Sequence, residues 1–164
     1  MLTQIMVERA LVIGTRRASR RGVTQPASYG GGWQPRVWIV EDEPDAASLA
    51  AELCEGCGVA TSVFGGPLPY LAALRSEAAP VAVVLDWRLE RELSAALYMT
   101  TRHHYPLLPV IYWTGSPADA LPAMIRDDAH TTVVDKAGGT TSFESALSWA
   151  LAGTGVEPSA EQPA

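Results

Sequence analysis

The chain has 164 residues, 48% hydrophobic and 18% charged, with a formal net charge of −6. That length suits one domain with a single core, and no apolar run approaches the ~20 residues that span a bilayer. The charge is uneven: residues 1–35 carry five arginines against one glutamate, whereas 36–153 carry fifteen acids against seven bases, so the body is a poor nucleic-acid surface.

Residues 1–35 read as an Arg-rich, disordered arm. Arg16, Arg17, Arg20 and Arg21 follow the short apolar stretch 10–13, the reverse of a secretory signal, so a cytoplasmic location is expected. The arm ends in a Gly- and Pro-containing linker that resists packing; an upstream start that belongs to no working protein is the other reading. Strands and helices then alternate, which argues for parallel βαβ units. Residues 36–40 form the first strand, and Pro44 suits the first turn of a helix whose inward face is expected to be Leu49, Leu53 and Cys57. A second strand covers 59–64. A helix follows through Leu68, Leu71 and Leu74. Val81–Leu85 is apolar throughout, as a strand buried on both faces should be.

A third helix is expected over 93–104 and a fourth strand over 109–113. Pro122 is disfavoured inside a helix, so a short helix from about Leu121 to Asp128 should hold it in its first turn. Residues 131–135 make the fifth strand, and Gly138-Gly139 leads to a helix burying Phe143, Leu147 and Leu151. Residues 154–164 read as a disordered tail. Cys54 and Cys57 form a lone C-x-x-C at a helix end, without the further ligands of a zinc site; they read as small buried thiols.

Four of these strands end on chemistry. The first runs into Glu41-Asp42, the third into Asp86, the fourth into Thr114, and the fifth through Asp135 into Lys136, the sole lysine of the chain. In an open parallel sheet the carboxyl ends of strands face one crevice. Three carboxylates brought together there repel by about 4 kcal/mol per close pair at an effective dielectric near 20, and such a cluster stays partly protonated or binds a cation. Magnesium suits it, and a carboxylate is a competent covalent acceptor of phosphoryl groups.

On Val-Glu-Asp-Glu-Pro at 40–44, Leu-Asp-Trp-Arg-Leu at 85–89, Pro-Val-Ile-Tyr-Trp-Thr-Gly at 109–115 and Val-Asp-Lys at 134–136, the chain resembles the receiver domain of two-component response regulators. The resemblance spans 36–153 and implies a flavodoxin-like, doubly wound α/β fold: a five-stranded parallel sheet with five helices. It implies Asp86 as phosphoacceptor, with Thr114 and Lys136 holding the phosphoryl group. It implies Mg2+ on Asp42 and Asp86, with Glu41 as partner through water and the Arg88 backbone carbonyl completing the protein's share. The donor would be a sensor histidine kinase or a histidine phosphotransfer protein. Such a protein is a signalling protein rather than an enzyme, apart from autodephosphorylation, and acts through an unknown downstream protein partner, with a homodimer left open and no membrane contact.

The chain also departs from the family pattern. Ala137 follows the lysine where a cis proline is usual, Val133 stands where an aromatic switch residue is usual, and Glu90 and Ser94 replace a common proline and turn glycine. Two other readings stay open. One is a non-phosphorylated pseudo-receiver that serves as an interaction module. The other is a nucleic-acid-associated regulator acting through the arginine arm. Individually, Thr114 also reads as a cap hydroxyl, His103-His104 as a helix end, and Trp87 and Trp113 as packing.

Overall fold

The computed structural model describes residues 35–153; the expected tail, and all of the expected arm but Pro35, lie outside them. Five parallel strands, β1 (Arg36–Val40), β2 (Ala60–Phe64), β3 (Ala82–Leu85), β6 (Val110–Thr114) and β7 (Thr131–Asp135), pair in the order β2-β1-β3-β6-β7. This is the doubly wound flavodoxin-like sheet expected, with five helices: α1 (Pro44–Gly56), α2 (Pro67–Ser76), α3 (Ala95–His104), α4 (Ala123–Arg126) and α5 (Thr140–Ala152). Because side chains alternate along a strand, the sheet has two apolar faces. Trp38, Val40, Val83 and Tyr112 join the core under α2 and α3. Val37, Ile39, Ile111 and Trp113 join the core with α1 and α5, where Phe143, Leu147 and Leu151 are buried as expected.

The inward face of α1 differs from the expected one. Ala47, Ala50 and Cys54 are buried, Leu49 is exposed, and Cys57 is the residue that ends the helix. Small residues let α1 pack closely on the sheet and on α5, while Leu53 and Cys57 of the expected face pack half-buried against the same core and Leu49 is turned out. In α2 the expected Leu68 is 80% exposed, and Tyr70, Ala73 and Leu74 point inward. Tyr70 takes the place because its ring meets Trp38 and Phe64 edge-on while its hydroxyl lies 2.6 Å from Thr101 Oγ1 on α3. Such a pairing satisfies a polar tip inside an apolar core.

Two further boundaries move. Helix α3 starts at Ala95 because the preceding residues form a small antiparallel hairpin, β4 (Arg88–Leu89) with β5 (Glu92–Leu93). Its two-residue turn holds Glu90 at φ 50° and Arg91 at φ 73°, positive values that most side chains avoid. Helix α4 is a single turn, and Pro122 caps it from outside its first turn, preceded by a 3-10 turn at Ala118–Ala120. No helix among the described residues is long and apolar enough to cross a membrane.

Candidate functional site

The backbone ladder fixes where the acidic residues stand. Glu41 N–H donates to Phe64 O and Asp86 N–H donates to Val40 O, each at 3.1 Å, so the ends of β1, β2 and β3 are held level. Period-two alternation then turns the Glu41 side chain into the protein, where it is 4% exposed, and leaves Asp42 exposed. Glu41, Asp42 and Asp86 each bring a carboxylate oxygen within 4.8 Å of the others. At that spacing each pair repels by about 3 kcal/mol at an effective dielectric near 20.

Lys136 meets that charge. Its Nζ donates to Glu41 Oε2 at 2.7 Å and to Asp86 Oδ2 at 3.0 Å. Burial pulls the lysine pKa down, but the two carboxylate partners carry it above its ordinary value. Burial, helped by the Asp86 charge, pushes the Glu41 carboxyl up, and the Lys136 hydrogen bond offsets this in part. The lysine side chain also rests over an aromatic ring: Nζ is 5.5 Å from the Trp113 ring centroid.

The remaining positions close the crevice. Asp42 Oδ2 accepts from Glu90 N–H at 2.9 Å, a tie from the β4–β5 hairpin across to the end of β1. Arg88 N–H lies 3.4 Å from Asp86 Oδ1. Thr114 is buried, and its hydroxyl oxygen accepts from Ser116 N–H at 3.1 Å. An open crevice of about 380 Å3 is lined by Asp86, Arg88, Thr114, Ser116, Lys136 and Glu43 among others. A larger hollow of about 480 Å3 lies between Pro80, Leu107 and Trp149. It includes none of the carboxylates at the strand ends, whereas the smaller crevice is lined by Asp86 and Lys136.

The structure thus brings together every residue singled out at the strand ends: Glu41, Asp42, Asp86, Thr114 and Lys136, with Arg88 on the rim. Lys136 stays aimed at Asp86 without the usual proline, because Asp135 Oδ1 accepts from Ala137 N–H at 2.8 Å and caps the 3-10 turn Lys136–Gly138. Sequence reasoning missed the hairpin's hold on Asp42. That contact comes from a backbone N–H, which leaves no trace in residue identity. His103 and His104 stand exposed at the end of α3, away from these groups.

No protein-family model matches the sequence, and no curated protein matches it. Solved structures do. A response regulator receiver protein from Sinorhizobium medicae WSM419 is similar with a TM-score of 0.65 at 17% identity, over 73% of this chain and 96% of that one. One from Pseudoalteromonas atlantica gives 0.61 at 18%, over 73% and 99%. The N-terminal domain of a response regulator/sensory box/GGDEF 3-domain protein from Carboxydothermus hydrogenoformans gives 0.63 at 19%, over 73% and 95%. At these identities the likeness establishes the fold: five strands and five helices arranged as in receiver domains.

Proposed function

We propose that this chain, built on the receiver fold, accepts a phosphoryl group on Asp86 and signals through protein contacts. One observation carries the reading: the ammonium of Lys136 grips Asp86 and Glu41 at 3.0 and 2.7 Å, beside a third carboxylate within 4.8 Å. Fold likeness alone does not imply function; this constellation is what a phosphoryl acceptor needs. Its all-oxygen, carboxylate-rich donor set fits Mg2+. Asp42 and Asp86 would hold the ion directly, Glu41 through water, and the Arg88 carbonyl would complete the protein's share. When bound, the cation supplies charge to neutralise the transferring group.

The chain's own residues do the rest. An Asp86 carboxylate oxygen attacks phosphorus of a phosphohistidine on a sensor histidine kinase or a phosphotransfer protein. The P–N bond breaks, its electron pair leaves with the imidazole nitrogen, and an aspartyl phosphate forms. Lys136 moves its hydrogen bond from Asp86 to a phosphoryl oxygen. Thr114, whose oxygen accepts from Ser116 N–H, keeps its own proton for a second one. Water attacking the same phosphorus would return Asp86 and phosphate.

Signalling by this site takes an unusual route. Phosphorylation adds nearly two negative charges, which shifts an equilibrium only between states that bind the group unequally. Position 133 is a valine and α4 has one turn, so an aromatic ring swinging inward from that position is not the device. The arginine arm, and any nucleic-acid role for it, lies outside the described residues.

A fluorescence titration tests the reading, since Trp87 is buried next to Asp86. Magnesium should alter the emission, and beryllofluoride, a phosphoryl mimic, should alter it again. Asp86→Asn should abolish the second change. Silence to both would leave a pseudo-receiver.

A further inference from the structure

We propose that Trp113 is a positioning residue: with the capped turn holding the Lys136 backbone, its indole face fixes where the ammonium at the far end of the side chain stands. The inference rests on the phosphoryl-acceptor reading above and adds a residue to it.

A lysine side chain has four rotatable bonds and no preferred fork of donors. Its backbone opens the 3-10 turn Lys136–Gly138, whose second residue is Ala137, so no proline ring sets its direction. Of its two acidic partners, Glu41 is nearer and more buried, at 2.7 Å and 4% exposure, whereas Asp86 is at 3.0 Å. Both carboxylates hold the ammonium, and Trp113 adds a third contact. Its ring centroid is 5.5 Å from Nζ, within the range over which an aromatic face attracts a cation.

The plate itself is closely packed. Trp113 is 5% exposed, and its ring meets the fully buried Phe143 edge-on at 5.0 Å. It directly precedes Thr114 in β6, and that strand pairs with β7 with Trp113 opposite Val134 and Thr114 opposite Asp135. The platform, the Thr114 hydroxyl and the turn bearing Lys136 are thus locked to one another by the sheet. A buried tryptophan whose indole N–H has no hydrogen-bond partner among the described residues is also a costly choice for mere filling; leucine would fill space without that cost.

The test uses the full chain and a double-mutant cycle. Trp113→Leu should slow Mg-dependent label uptake from acetyl phosphate about fivefold to tenfold, the latter equal to 1.36 kcal/mol of barrier. In a Lys136→Met background the same substitution should change the rate less than about twofold, because the group it positions is gone. An equal loss in both backgrounds would make Trp113 a packing residue and overturn the proposal. Trp113→Phe, which keeps a weaker face, should fall between; if the leucine variant does not fold, this variant carries the cycle.

A second readout needs no phosphorylation. Lys136 is the only lysine, so lysine labelled at the ε-carbon gives one side-chain signal. Ring current should place its ε-methylene protons upfield, and Trp113→Leu should return them to the ordinary position. An unshifted wild-type signal would overturn the proposal. Wild-type protein that takes up no label yet shows the shifted signal would end the phosphoryl-acceptor reading while leaving the contact standing.

Discussion

Lys136 carries opposite duties at the scale of a single residue. It neutralises two buried carboxylates, and under the proposed function it must be free to meet a phosphoryl group later. Lys136→Met should therefore destabilise the metal-free protein by about 1–3 kcal/mol, because the acids it leaves lose their counter-charge. Saturating Mg2+ should restore more stability to the variant than it adds to the wild type; urea midpoints with and without the ion measure both. Asp128 is a second charged centre, and a structural one. It accepts from Arg102 Nε at 2.6 Å, from the Tyr98 hydroxyl, and from His130 N–H. Its burial opposes ionisation, but these hydrogen bonds prevail and hold the carboxyl at about 2. Its pKa is thus lowered on folding, so its stabilisation is complete above the ordinary aspartate value near 4 and is lost as pH falls toward 2. Asp128→Asn should lose roughly 1–2 kcal/mol at pH 7, and the gap to wild type should close in that acid window.

The β4–β5 hairpin links residues to the larger architecture among the elements. It bends the chain after Asp86, and its Glu90 N–H fixes Asp42 at 2.9 Å. Its turn holds two non-glycine residues at positive φ, each costing about 1 kcal/mol. Two-residue turns of this kind favour Asn-Gly. Glu90→Asn with Arg91→Gly should therefore raise stability by about 1 kcal/mol, read as a higher urea midpoint at unchanged slope. Nothing in Leu-Glu-Arg-Glu-Leu announces such a turn, which is why the stretch carries no expected element and its last residue, Leu93, reads as the start of a helix. The five sheet strands were legible because apolar runs bounded by turn residues have few other fates. The strand-end residues were legible because their types are rare there: a lone lysine, a carboxylate ending an all-apolar run. Helix faces were less so. In α1 and α2 leucine periodicity found part of each face, Leu53 and Leu74, but close packing through Ala50 and the Tyr70–Thr101 hydrogen bond left Leu49 and Leu68 exposed. Tyr70→Phe should cost about 1 kcal/mol for that lost bond.

For the molecule as a whole, the sheet divides labour between its two faces and its carboxyl rim. Apolar side chains above and below hold the strands rigid. The rim collects the charge that a rigid frame alone can keep this close together. A preorganised cluster of this kind lowers the reorganisation that phosphoryl transfer demands. With α4 reduced to one turn, the region beside β7 is the least regular part of the described chain, and a conformational response to phosphate would meet least resistance there. The full chain incubated with radiolabelled acetyl phosphate puts the central claim to its most direct test. Label should enter only with Mg2+ present, be released by alkali as an acyl phosphate is, and be absent from Asp86→Asn. A chain that takes up no label, or an Asp86→Asn variant that labels as well as the wild type, would contradict the account.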